Sequence, residues 1–118
     1  MKLDHILIMV RSLDASLNWY TTLLESLSFT KTRDHVWYDG ELAIDLQQAE
    51  PDTPDYARRG PGLNHLGFTA PSESELDRVR SEMAAAGFDV PEKQRFGNDI
   101  ATFFKDPEGM RIEVAVYA

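Results

Sequence analysis

Leu13, Leu17, Tyr20 and Leu24 fall on one face at helical spacing and predict a helix from Ser12 to about Ser26. A second apolar stripe, Leu76, Val79, Met83 and Ala86, begins behind Ser72-Glu73-Ser74-Glu75. That Ser-x-x-Glu spacing is a capping box, and Gly87 supplies a helix stop. Around the helices the pattern alternates instead, as half-buried strands do. Extended runs are expected at about 28–32, 35–38 and 42–46 in the first half, and at about 89–91, 100–104 and 111–116 in the second. Gly40 and the Asp106-Pro107-Glu108-Gly109 turn precede the last strand of each half. Leu3-Asp4-His5-Ile6 lines up with Leu63-Asn64-His65-Leu66, and each opens its half with a strand. Each half therefore reads β-α-β-β-β.

Residues 48–62 carry three prolines and two glycines with few apolar groups, and read as a connector. It divides one domain, 1–118, into module one (1–47) and module two (63–118). Neither module buries enough surface to stand alone, so the modules must pair, within the chain or between chains.

Composition narrows the function. The chain has 118 residues, 42% of them hydrophobic, which suits a folded domain. Twelve Lys and Arg against 20 Asp and Glu leave a formal charge of −8. That balance disfavours nucleic acid, whose phosphates need a basic face, and disfavours anionic membranes. Cysteine is absent, which removes disulfides, thiolate metal sites and thiol nucleophiles. With no signal-peptide pattern and no long apolar window, a cytoplasmic protein is expected.

Strand parity locates the candidate chemistry. Residues i and i+2 of a strand share a face. If Ile6, Ile8 and Val10 pack inward, His5 looks away from the core; if Ile44 and Leu46 pack inward, so does Asp45. In module two the same logic turns His65 and Glu113 away from Leu66, Ile112 and Val114. Each module thus sets one imidazole and one carboxylate on the sheet face opposite its helix. Two such sheets folded toward each other would converge two histidines and two acids, a ligand set for a divalent metal. The lone-residue alternatives are a solvated surface histidine and a solvated strand carboxylate; the matched positions in both halves favour the site. His35 lies in a turn-like context and reads as surface. Trp37 and Phe103 could line a ligand pocket, although aromatics on alternating strands are more often core. Arg58, in the connector, could meet an anionic substrate.

Leu3-Asp4-His5-Ile6-x-x-x-Val10 followed by Asp14-x-Ser16-x-x-Trp19-Tyr20 resembles the opening of the vicinal oxygen chelate superfamily. This group spans glyoxalases, bleomycin-resistance proteins and extradiol dioxygenases. Asn64-His65-Leu66-Gly67-Phe68 and Phe104-x-Asp106-Pro107-Glu108-Gly109-x-x-Ile112-Glu113 resemble its second-module signatures. The resemblance implies an α+β fold, two paired βαβββ modules forming a curved mixed sheet around a cleft. It implies His5, His65 and Glu113 as metal ligands, with Asp45 where glyoxalase I-like members carry a fourth, usually Glu. The cofactor would be Zn, Ni, Mn or Fe, with Glu113 or Asp45 moving a proton. A lyase or isomerase acting on a small oxygen-chelating substrate through an enediolate-type intermediate is the expected activity. The alternatives are a metal-free drug- or metabolite-binding protein, and a fosfomycin-modifying or dioxygenase relative. Lys93-Gln94, twenty residues before Glu113, resembles the thiol transferases and makes Lys93 a substrate-binding candidate. A homodimer with a cleft shared between chains is also implied by the family.

Overall fold

The computed structural model describes all 118 residues, which divide into two compact units, Met1–Asp55 and Tyr56–Ala118. Unit one contains β1 (His5–Val10), α1 (Leu13–Ser26), β2 (Thr30–Arg33), β3 (Val36–Tyr38) and β4 (Ala43–Gln48). Unit two contains β5 (His65–Thr69), α2 (Glu73–Ala85), β6 (Gln94–Phe96), β7 (Asp99–Lys105) and β8 (Arg111–Val116). Each unit folds its three later strands onto its first in the same way. The strand orders are β1-β4-β3-β2 and β5-β8-β7-β6, with β1/β4 and β5/β8 parallel and the other pairs antiparallel. The fold is α+β, two βαβββ modules with one mixed four-stranded sheet each. No helix is long and apolar enough to cross a membrane.

Local chemistry explains where the elements begin. The Ser12 hydroxyl accepts the Ala15 N–H at 3.2 Å, and Ser72 accepts that of Glu75 at 3.2 Å, so both helices start on a serine cap. Glu75 does not close the box backward; its carboxylate takes Arg78 Nε at 2.7 Å instead. Past α2, Gly87 adopts φ +88°, a left-handed conformation that costs glycine nothing. Leu76, Val79 and Met83 are buried as the stripe requires, but Ala86 is the exposed C-cap.

In each unit the helix covers one sheet face. Tyr20, Leu23, Leu24, Trp37, Ile44 and Leu46 form the core of unit one. Leu76, Met83, Phe104, Ile112 and Val114 form that of unit two. At about 25 cal/mol per Å2 of apolar surface, burial of each large side chain contributes about 1.5–3 kcal/mol. Strand positions agree with the periodicity except at β6. The sequence pattern puts an extended run at 89–91, whereas the strand is Gln94–Phe96. All three of its residues are exposed, so this edge strand carries no alternating apolar signal.

The connector divides between the units. Arg11 fastens its first part: Nη2 donates to the Thr53 carbonyl at 2.9 Å and Nη1 to the Glu50 carbonyl at 3.3 Å. The Tyr56 hydroxyl bridges the carbonyls of Leu63 (2.8 Å) and Asn64 (3.0 Å), anchoring the chain just before β5.

Candidate functional site

In unit two, β5, β8 and β7 lie side by side, and the sheet face away from α2 carries two rows of side chains. His65, Arg111 and Lys105 form one row; Gly67, Glu113 and Phe103 form the next. His65 Nε2 stands 3.2 Å from Glu113 Oε2. The Glu113 side chain is 16% exposed and that of His65 41%, so the carboxylate is recessed beneath a reachable imidazole. Phe103 packs its ring edgewise against His65, with centroids 5.9 Å apart at 69°.

A short relay determines the state of the imidazole. Asn64 Nδ2 donates to the Arg58 carbonyl at 2.8 Å, which turns Asn64 Oδ1 toward His65 Nδ1, also at 2.8 Å. An amide oxygen can only accept, so Nδ1 carries a proton and Nε2 is the ring nitrogen that faces Glu113. A proton on Nε2 would make this contact an ion pair, and a metal ion in its place would take both atoms as donors. The donor set therefore fits a divalent ion of the nitrogen- and oxygen-loving kind, and the Asn64 contact is the orienting hydrogen bond that metal-bound imidazoles make.

Unit one repeats the plan with one difference. Asp4 Oδ2 accepts His5 Nδ1–H at 2.8 Å, so Nε2 is again the free nitrogen. His5, Asp4, Asp45 and Arg33 line a cavity of about 310 Å3 on this face. His5 and Asp45 do not form an ion pair. The register supplies a reason: Leu7 lies beside Asp45 where Gly67 lies beside Glu113. A Cβ at Gly67 would sit 3.7 Å from Glu113 Oε2, so a larger side chain there would crowd the carboxylate. Within each unit two ligand-type groups are held on the site face, and no three converge.

The remaining candidates separate. Arg58 and Phe103 line a cavity of about 380 Å3 in unit two, together with Lys105, Arg111 and Asp89. Lys93 does not; its ammonium is held by Asp77 at 2.7 Å and Glu73 at 2.9 Å. These contacts raise the Lys93 pKa, the Asp77 hydrogen bond most, and lower that of Glu73 chiefly through its bond from Lys93. Trp37 is 0% exposed and is core, its indole N–H without a partner. Trp19 is likewise buried. Strand parity puts Gly67, Lys105 and Arg111 on the faces of His65, Phe103 and Glu113 but does not mark them as site residues, and it does not reach Asp4 or Asn64. Those last two have a readable signal, an Asp or Asn immediately before the repeated histidine.

Among related proteins, Uncharacterized protein YqjT of Bacillus subtilis (strain 168) is 29% identical over 125 aligned positions, covering 95% of this chain and 96% of that protein. A solved protein of Bacillus halodurans superposes with a TM-score of 0.82 at 25% identity, covering 98% of this chain and 95% of that one. Lactoylglutathione lyase from Agrobacterium tumefaciens shares the fold, with a TM-score of 0.68 at 18% identity over 98% of this chain and 92% of that one. The family model matches residues 2–114, a span that includes both histidine–carboxylate faces. By that match the chain belongs to the Glyoxalase/Bleomycin resistance protein/Dioxygenase superfamily.

Proposed function

We propose that the protein is a divalent-metal-dependent lyase or isomerase acting on a small oxygen-chelating substrate. The carrying observation is His65, held through Nδ1 by Asn64, with its Nε2 3.2 Å from the Glu113 carboxylate. His65, Glu113 and His5 would hold the ion, with Asp45 as a fourth donor. Bound there, Zn, Ni, Mn or Fe would supply Lewis-acid polarisation of substrate oxygens.

The rest is the work of the chain's own groups. Asn64 and Asp4 hold the two imidazoles with Nε2 outward, so little reorganisation is needed on loading. Glu113 is recessed enough to lose part of its hydration and reachable enough to take a proton from a carbon beside a polarised carbonyl. General-base catalysis of this kind contributes about 10²–10⁴ in rate. Phe103 packs its ring against the flank of His65. Each unit offers a histidine and a carboxylate, so the full set requires one unit of each kind, and the family resemblance makes a homodimer that shares its sites between chains the arrangement we favour. The alternative of a metal-free aromatic binding pocket draws no support from Trp19 and Trp37, which are both buried.

Elemental analysis after loading with each of the four metals tests the reading, with a hemithioacetal substrate assay alongside. About one ion per site is expected in the parent protein, with affinity falling by more than about 100-fold in His65→Ala. Gly67→Leu should fold normally and lose the ion. Failure to retain any of the four metals, or full retention by His65→Ala, would overturn it.

A further inference from the structure

The 380 Å3 cavity of unit two has an unusual charge for this chain. With a formal charge of −8 overall, the molecule nevertheless lines this cavity with Arg58, Lys105 and Arg111 against the single acid Asp89. None of the three cations forms an ion pair, whereas Arg78, Lys93 and Arg95 on the same unit all do. Arg111 is tied back only to the Gly109 carbonyl through Nη1, leaving its other donors to point elsewhere.

The ladder makes this arrangement costly. Lys105 and Arg111 are direct partners in the antiparallel β7/β8 pair, so they emerge on one face side by side. Like charges placed directly opposite each other destabilise a sheet. Either position could carry a neutral or acidic residue without loss of core packing, because both lie on the face away from α2. A local conflict of this kind is relieved when an anion occupies the space between the cations. The cavity also shares its face with the candidate site: Arg111 is the register partner of His65, and Phe103 lines the cavity while touching His65.

We propose that this cavity is an oxyanion subsite, holding the carboxylate or phosphoryl group of the small molecule whose reacting oxygens lie at His65 and Glu113. Arg58 and Arg111 offer forked donors suited to either group, and Lys105 adds a point charge. That the anion belongs to the substrate rests on the function proposed above; the subsite itself does not depend on bound metal.

The test is calorimetric titration of the metal-free full chain with inorganic phosphate and, separately, with succinate. The preferred probe tells a phosphoryl from a carboxylate group. Binding should weaken at least about tenfold in the Lys105→Gln/Arg111→Gln double variant, and by a smaller factor in Arg58→Gln. It should stay within about twofold of the parent in Lys31→Gln, a cation of unit one. The melting temperature of the double variant without anion should equal or exceed that of the parent, since a repulsion has been removed. Equal binding by the double variant, an equal loss in Lys31→Gln, no saturable binding of either probe, or a less stable double variant would each overturn the proposal. Because the titration uses metal-free protein, anion binding by a protein that retains no metal overturns the proposed function alone, and metal retention without anion binding overturns the subsite alone.

Discussion

Asn64 does the most with the least chemistry. Its two ends are used in opposite senses, Nδ2 giving to the Arg58 carbonyl and Oδ1 receiving from His65 Nδ1, so a neutral side chain fixes an imidazole tautomer. Asp4 does the same for His5 with a carboxylate, Oδ2 accepting from Nδ1. Asn64→Ala should leave the fold intact while the His65 ring regains its freedom. We expect metal affinity to fall by about 10–100-fold, the usual cost of losing an orienting partner. Competition with a fluorescent chelator would measure it, and an unchanged affinity would remove Asn64 from the site. At this scale much was legible. His5, His65, Asp45 and Glu113 follow from parity and repeat. Trp37 shows the limit, since the same alternation leaves an aromatic's face undecided until the helix that covers it is known.

Between residues and domains, the turn before β8 decides where Glu113 stands. Asp106 is 3% exposed, and its Oδ1 accepts the N–H groups of Glu108 at 2.8 Å and Met110 at 2.9 Å. Gly109 completes the reversal at φ +92°. Asp106→Ala leaves two backbone donors of this turn without their acceptor and should cost about 2–4 kcal/mol in urea unfolding. Asp106→Asn keeps an accepting oxygen and should cost about half that or less. The β6 edge is held differently, by Lys93 and Arg95 reaching Glu73 on α2. The Glu73 pKa is lowered, so its contribution is present above the unfolded value of 4.5 and is lost as pH falls through the folded one. The Lys93 pKa is raised, so its contribution is present below 10.5 and is lost as pH rises through the folded value. Thermal melts of parent and Lys93→Met should therefore differ most between these limits and converge beyond both; a difference independent of pH would contradict the clasp. The pattern expects a strand five residues too early here because β6 is held by charge and ladder bonds, neither of which has a period.

For the molecule as a whole, the duplicated module is the governing fact, with identical strand orders in both units. A shared site in a homodimer has a distinctive signature. His5→Ala and His65→Ala proteins, each inactive, should regain about a quarter of parental metal capacity when mixed and allowed to exchange, because random pairing restores one site in each mixed dimer. A site built within one chain would regain none.

Sequence alone determined the two βαβββ units, the Ser72 cap, the faces of the four ligand-type residues and the restriction to nitrogen and oxygen donors. These depend on local periodicity, covalent alternation and composition, which are written residue by residue. Only the tertiary structure decided that Glu113 meets His65 while Asp45 misses His5, that Trp37 is core, and that Lys105 opposes Arg111 beside Arg58. Those outcomes depend on register between strands distant in sequence, on Gly67 against Leu7, and on which face a helix covers. No single strand encodes them, because each is a relation between two.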